Sequence, residues 1–422
     1  MCADVGVSPC RPSDIELPIG TDGITSLDFV PSADRNILFV GTANGRVRIL
    51  DCSKSVCETL YQKRWHKTIR CLSTNPFSST CITASKQCCI KVHDIETNER
   101  TAVFRKMEDS APYSALIVVS DHRWITGDDN GFVKVWFYLD HMWDDRQKGG
   151  HCFTIKPPVD DYVEDLAGIN DFAVGTDPQG TLLAAVDNGC LVSYNIRRRR
   201  LDLVSEPLGY SARSVSCIKD GKKVILGTDE GVLLTYNWNE FGSVCDRFPV
   251  RTSRSRVDQV VGVKYYEDAG FPSVEKIAKI TEDIVVVATD DGALSPMNIL
   301  PNRMLDCLGW HTSEDLGGGD CMTLAVSPDR QLVASGLPLA PSIKFWPVGH
   351  LQSEASEEIK LLSLPKKRRL TGKLASTKSA KSKTTSRCSD QDRTDFLSGL
   401  ISPADESDEE TGSTDDSSDG SE

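Results

Sequence analysis

The 422-residue chain has no C-x-x-C pair among its fifteen cysteines, no surplus of positive charge and few aromatic residues, 7% in all. It also has no apolar run near the roughly 18 residues that a membrane-crossing helix needs. Each absence removes a class of protein. The cysteines are scattered from Cys2 to Cys388, with Cys88 and Cys89 adjacent. This spacing fits neither a disulfide framework nor a zinc module, so reduced and largely buried thiols are expected. Met1 to Pro12 carries no apolar core of signal-peptide type, and a soluble intracellular protein with no membrane partner is the expectation. Lys and Arg number 48 against 61 Asp and Glu, a net charge of -13, so any nucleic-acid contact must come from a local patch.

Catalytic signatures are missing too. No G-x-G-x-x-G, P-loop, G-x-S-x-G or H-E-x-x-H occurs, and Gly317-Gly318-Gly319 runs into Asp320-Cys321 instead of phosphate-binding residues. His141, His151 and Cys152 lie close in sequence, but at a spacing that suits no zinc class, so neither a metal nor a cofactor is expected. Asp128-Asp129 and Asp290-Asp291 fall at turns, where Asp is favoured for backbone reasons. The expectation is a protein that works by binding, with no catalytic residues.

What the chain does have is a repeat. An apolar run, a turn and an alternating strand recur, most clearly in Ile37 to Asp51 and Trp124 to Trp136, and again in Leu182 to Asn195, Val224 to Asn237 and Ile284 to Asn298. Two copies are degenerate. In Cys81 to Asp94, Cys88 stands where the turn glycine is expected, and in Leu332 to Trp346 a proline-rich loop replaces the turn. Asn44-Gly45, Asn130-Gly131, Asn188-Gly189, Glu230-Gly231 and Asp291-Gly292 read as two-residue hairpin turns. The first apolar residue after each turn is Val47, Ile90, Val133, Leu191, Leu233, Leu294 or Ile343. The shorter of these intervals match the roughly 40–45 residues of a WD repeat, one four-stranded blade per repeat. A chain of this length exceeds the usual single core, and a closed repeat array resolves that difficulty. An all-β, seven-bladed propeller over residues 14–351 is therefore expected, after a flexible N-terminus at 1–13. Asp14 to Ile19 is expected to supply the outermost strand of the last blade and so close the ring.

The Trp-Asp dipeptide that names the repeat is eroded in all units, as in Leu50-Asp51, His93-Asp94 and Trp136-Phe137. His66 and His311 each precede an innermost strand and read as buried imidazoles bonded to a Ser or Asp of their own blade. Two insertions, around Tyr138 to Leu166 and Arg254 to Pro272, are expected to be surface loops.

Beyond the generic repeat, Asn195-Ile-Arg-Arg-Arg-Arg-Leu201 with Ser205-Glu-Pro207 resembles the WD repeat-containing protein 55 family. So do Asn237-Trp-Asn-Glu-Phe-Gly242 with Asp246-Arg-Phe248, and Asn298-Ile-Leu-Pro-Asn-Arg303 with His311-Thr312. The resemblance extends to the order of segments in the tail. It implies a nuclear, largely nucleolar protein that supports ribosomal RNA production and processing, acting as a scaffold in ribosome biogenesis beside ribosome-assembly factors.

From residue 352 the periodicity stops, and 352–422 is expected to be a disordered tail: basic over 365–393, a short apolar motif at 395–400, acidic over 403–422. Lys366, Lys367, Arg368 and Arg369 form a block that reads as a nuclear import signal. Phe396, Leu397 and Leu400 would share one helical face as a recognition motif, although Gly399 weakens a helix there. The acidic end carries serines that an acidophilic kinase could modify. Within the ring, Arg197, Arg198, Arg199 and Arg200 lie in a turn after a third strand, and Lys222 and Lys223 in a turn after a first strand. Both turn types emerge on one face, so the six cations are a candidate patch for RNA or an acidic partner. Trp143-Asp144-Asp145-Arg146 is a W-D-x-R box of the kind used by cullin-4 ligase receptors, which makes a ubiquitin-ligase adaptor an alternative partner. A monomeric ring is expected.

Overall fold

In the computed structural model, residues 15–18, 22–31, 35–53, 57–105, 111–138, 149–157, 167–177, 180–250, 271–311, 322–339 and 341–352 are described. The import block, the apolar tail motif, the acidic end, the W-D-x-R box and the glycine run at 317–319 all lie outside them.

The chain opens on β1 (Ile15–Pro18). Blade one follows as β2 (Ile24–Phe29), β3 (Ile37–Thr42), β4 (Arg46–Asp51) and β5 (Glu58–Arg64). Blade two is β6 (Ile69–Thr74), β7 (Thr80–Ser85), β8 (Ile90–Asp94) and β9 (Arg100–Phe104). Blade three is β10 (Tyr113–Ser120), β11 (Arg123–Asp128), β12 (Val133–Tyr138) and β13 (Gly149–Ile155). Blade four is β14 (Ile169–Val174), β15 (Thr181–Val186), β16 (Leu191–Asn195) and β17 (Arg200–Val204). Blade five is β18 (Ala212–Ile218), β19 (Lys223–Thr228), β20 (Val232–Asn237) and β21 (Asp246–Pro249). In blade six, β22 (Val274–Lys279), β23 (Ile284–Thr289) and β24 (Ala293–Asn298) are followed by an outer position shared by β25 (Arg303–Met304) and β26 (Gly309–Trp310). Blade seven is β27 (Thr323–Val326), β28 (Leu332–Gly336) and β29 (Ser342–Pro347), and β1 completes it, pairing Ile15 with Phe345 and Pro18 with Ser342. The N-terminal strand thus closes the ring as its position in the sequence suggested, and no blade is left with an unmatched gap.

Burial within a blade falls from the middle strands outward. β23, Ile-Val-Val-Val-Ala-Thr, is buried at all its positions because neighbouring blades cover both faces. β5 has only Tyr61 partly covered. This explains why the second strand of each repeat reads as an unbroken apolar run and not as an alternation. The core accordingly divides into seven apolar clusters, one between each pair of neighbouring blades. The one between blades seven and one joins Phe345 and Ile343 to Leu27, Phe29 and Leu38.

The inner strands stand side by side around the ring, and side chains stitch them together. The Leu72 N–H donates to Ser26 Oγ at 3.0 Å, and the Ile277 N–H donates to Ser214 Oγ at 3.1 Å. Asp171 accepts from the Val215 N–H at 3.1 Å and from Ser214 Oγ at 2.7 Å, and its other oxygen receives Lys276 Nζ at 2.7 Å. Bonds from blade to blade of this kind tie the ring at its axis.

Two expectations need correction. The second-to-third-strand turns are not two-residue loops with two left-handed residues. Gly45, Gly131, Gly189, Gly231 and Gly292 have positive φ, but the residues before them do not. The Gly45 N–H donates to Thr42 O at 2.9 Å, so the loop is Ala43-Asn44-Gly45 with only its last residue left-handed. That is the three-residue hairpin in which a bulge follows an ordinary turn. Cys88 takes the glycine's place with φ 57°, as its alignment implied. The other correction concerns the first insertion, which is not all loop. Its residues Gly149 to Ile155 are β13, paired with β12 from Val133↔Ile155 to Tyr138↔Gly149. A propeller blade needs a fourth strand, and backbone pairing recruits one despite the longer connection. Of the second insertion, 251–270 lies outside the described residues, and Phe271 at its end is 41% exposed.

Candidate functional site

A propeller offers two loop-bearing faces around a central channel, and on one of them a repeated backbone feature places a ring of polar side chains. The register of the inner strand against its neighbour slips at the same point in six blades: after Ile24, Ile69, Tyr113, Ile169, Ala212 and Val274. A bulge leaves one residue unpaired and re-aims it. The unpaired residues are Thr25, Arg70, Ser114, Asn170, Arg213 and Glu275, all polar and all partly exposed. This ring was not among the features expected from the sequence. Its signal was a polar residue directly behind the first apolar residue of each inner strand.

The neighbouring turns hold these side chains. Both carboxylate oxygens of Asp129 receive Arg70 at 2.7 Å. Asp187 Oδ1 accepts from Asn170 Nδ2 at 2.9 Å and Ser211 Oγ at 2.7 Å, with Arg213 at 3.9 Å. Asp129, Asp187, Asp229 and Asp290 occupy the same turn position in blades three to six, where blades one and two carry Ala43 and Lys86. This turn position is thus acidic in blades three to six and not in blades one and two. Burial raises Asp290 above the usual carboxylate range, and nearby Asp291 and Glu275 add to the shift.

Each turn is anchored to the entry of its own blade. The N–H groups of Ala43, Asp129, Asp187, Asp229 and Asp290 donate to the carbonyls of Gly23, Pro112, Gly168, Ser211 and Ser273 at 2.9–3.0 Å. The face is built from short, backbone-bonded loops, which suits rigid presentation.

On the opposite face, Arg197 to Arg199 sit in the turn between β16 and β17 and Arg200 opens β17, all exposed. The Arg198 N–H donates to Asn195 Oδ1 at 2.9 Å, and Arg199 adopts a left-handed φ of 55°. These arginines do not all point the same way. The Arg199 guanidinium lies 5.0 Å from the Phe153 ring centre on β13, and Arg200 Nε meets Asp202 at 3.0 Å. Arg197 and Arg198 pair with no carboxylate among the described residues. In blade five Lys222 is exposed, whereas Lys223 Nζ is turned to Asn237 Oδ1 and lies 3.6 Å from the Cys245 sulfur. The six cations share a face, but Arg199 leans toward blade three, Arg200 pairs within blade four and Lys223 is engaged within blade five.

The two histidines lie where the repeat placed them. His66 Nε2 is 3.0 Å from Thr83 Oγ1, and His311 Nδ1 is 2.6 Å from Ser335 Oγ, each within its own blade. The expected Ser partner holds for His311, and in blade two a Thr hydroxyl takes that role. Ser335 also receives the Trp346 indole N–H at 2.8 Å, and the Trp136 indole reaches Thr126 Oγ1 at 2.9 Å in a blade with no such histidine. These are structural networks that pin the middle strands.

His151 and Cys152 sit on β13, where the His151 ring makes an edge contact with Trp136 and its Nε2 is 2.8 Å from Thr154 Oγ1. His141 lies outside the described residues, and among those described no three ligating groups converge as a metal site. The W-D-x-R box belongs to the connection between β12 and β13. A cleft of about 500 Å³ opens by the outer strand of blade five, lined by Ser205, Tyr236, Cys245, Asp246 and Arg247 among others. No helix among the described residues is long and apolar enough to cross a membrane.

Of the eleven described cysteines, none is in a disulfide; five are buried, four are partly buried, and Cys152 and Cys245 are exposed.

No family profile matches the chain. Individual relatives do. WD repeat-containing protein 55 of Pongo abelii is 30% identical over 347 residues, covering 81% of this chain and 78% of its own. The Homo sapiens protein of that name has the same identity and coverage. A homologue in Aedes aegypti is 27% identical over 391 residues, covering 92% of this chain and 70% of its own. With its seven closed blades and this extent of likeness, the chain belongs to the WD repeat-containing protein 55 family.

Proposed function

We propose that this propeller is a scaffold for ribosome assembly in the nucleolus, binding assembly factors through its loop faces while the basic block of the tail directs import. A WD-repeat propeller is an interaction fold, and the observation that carries a binding role here is the ring of bulged polar residues at one channel mouth. Bulges re-aim side chains where a surface is used, and rigid short loops present them at low entropic cost. The nucleolar setting and the role in RNA production rest on the family resemblance and on the tail's composition. Depleting the protein should raise unprocessed ribosomal RNA precursors, and a tagged full-length chain should concentrate in the nucleolus. Unchanged precursors together with a purely cytosolic signal would overturn the reading.

A second reading is direct contact with RNA through the arginine turn of blade four. Arg197 and Arg198, exposed and without a carboxylate partner among the described residues, favour it. Planar guanidinium groups bind phosphates bidentately and stack on bases.

A further inference from the structure

We propose that Cys52 and Cys57 are a redox-active pair that closes into a disulfide across the last turn of blade one. The β4–β5 ladder ends with Asp51 opposite Glu58. The next residues outward are Cys52 and Cys57, so the same register brings the two thiols face to face. Directly opposed residues of an antiparallel pair have Cβ atoms about 4.5–5.5 Å apart, a small adjustment from the roughly 3.5–4.5 Å of a disulfide.

The surroundings hold the pair in place. The Cys52 N–H donates to Asn36 O at 2.8 Å, Ser53 N–H to Asp51 Oδ1 at 2.9 Å, and Asn36 N–H to Ser53 Oγ at 2.9 Å. Cys52 is only 5% exposed and packs in the apolar cluster between blades seven and one, with Cys57 against it and partly open to solvent.

The two thiols are unequal. The nearby Cys52 lowers the Cys57 pKa, while Cys57 and burial raise that of Cys52. Cys57 is thus the accessible nucleophile and Cys52 the buried resolving partner, the division of labour found in thiol redox pairs.

With a peroxide as oxidant the chemistry balances. The Cys57 thiolate attacks one peroxide oxygen; an S–O bond forms, the O–O bond breaks, and hydroxide leaves and takes a proton to become water. The Cys52 sulfur then attacks the sulfenic sulfur. The S–S bond forms, the S–O bond breaks, and the hydroxyl departs as water with the Cys52 proton. Two thiols lose two electrons in total, and the peroxide becomes two waters. The closed bond would lock the outer hairpin of blade one beside the interface that completes the ring.

The test uses the native full-length chain, hydrogen peroxide as probe, alkylation of remaining thiols, and a non-reducing tryptic digest. Trypsin cuts after Arg48, Lys54 and Lys63, so the disulfide joins peptide 49–54 to peptide 55–63, a species that reduction separates. Cys152 and Cys245, both exposed, are internal competitors. The linked peptides should form about ten-fold faster than peroxide consumes Cys152 or Cys245. In Cys52→Ser, a sulfenic acid should accumulate on Cys57 and be trapped by a 1,3-dione reagent. If Cys52 and Cys57 are still alkylated after Cys152 is consumed, the proposal is overturned. Linkage of Cys57 to any other cysteine, or formation slower than loss of the exposed thiols, overturns it equally.

Discussion

Lys134 and Asp128 form an ion pair inside blade three, Nζ to Oδ2 2.7 Å, with side chains only 4% and 0% exposed. Asp128 also accepts the N–H groups of Phe132 at 2.9 Å and Asn130 at 3.2 Å through its other oxygen, so it organises the turn between β11 and β12. Removing one member leaves a buried charge without its partner. Lys134→Met should cost about 3–5 kcal/mol in urea unfolding, whereas Lys134→Met with Asp128→Asn should cost less than the sum of the single changes. Additive losses in that double-mutant cycle would mean that the pair contributes no coupling.

Two glycines with nearly the same φ should respond differently to Ala. Gly45 (φ 74°) has the His66 carbonyl oxygen 2.0 Å from where a Cβ would sit, while Gly209 (φ 77°) has nothing within 4 Å. Gly209→Ala meets only the left-handed backbone strain of about 1–2 kcal/mol. Gly45→Ala must also push blade two's entry loop away, and it should lower the unfolding midpoint well beyond that.

Acid should destabilise the ring before most carboxylates titrate. Burial lowers His66 and His93 to about 3 and His311 to about 4, with Lys91 acting on the first two, His66 also on His93, and Lys344 on the third. Above pH 6.5 each imidazole is neutral in both states. As pH falls below that value the unfolded chain takes up protons that the folded ring refuses, so stability drops until about pH 4 to 3, by up to about 1.4 kcal/mol per pH unit per group. Asp28 opposes this. Burial raises it to about 6 against donors from Thr74 and Ser73, so its contribution is complete below 3.8 and is lost as pH rises to 6. Three groups outweigh one, and the melting temperature should fall from pH 6.5 to 4.5. His311→Gln should make that fall shallower, and an unchanged slope would refute the assignment to His311.

If the arginine turn binds RNA, Arg197→Glu with Arg198→Glu should weaken anisotropy-detected binding of a single-stranded oligouridine and flatten its salt dependence. Lys223→Glu should do less, because Lys223 is held by Asn237. The comparison belongs in a full-length background with Lys366 to Arg369 changed to Ala, which removes the tail's own cations. Equal binding by the reversed and unreversed chains would rule out contact at this turn.

Truncation separates folding from targeting. The cut belongs after Gln352, because Leu351 is 2% exposed in the blade seven core and Gln352 Nε2 donates to Arg330 O at 2.8 Å. A chain ending at 352 should melt cooperatively near the full-length temperature and fail to accumulate in the nucleus. Ala at Lys366, Lys367, Arg368 and Arg369 should reproduce the mislocalisation, and continued nuclear accumulation would show that import does not depend on that block.

The sequence alone determined the number of blades, the place of each inner and middle strand, and the closing role of the segment near Ile15, because strand periodicity and turn glycines are local properties that repeat. It also placed His66 and His311, since each sits at a set offset from its inner strand. Other features depended on packing between segments far apart in the chain. Lys134 reads in sequence as an ordinary polar residue of an alternating strand, and only the folded blade sets its ammonium beside Asp128 and the rings of Tyr113 and Phe132. Gly149 to Ile155 carries weak strand character, and only the unpaired edge of β12 recruits it. The bulges that expose Arg70 and Glu275, the tilt of Arg199 toward Phe153, and the facing of Cys52 and Cys57 follow from register and from contacts between strands. A residue's place along its own strand does not record them, so tertiary structure decided them.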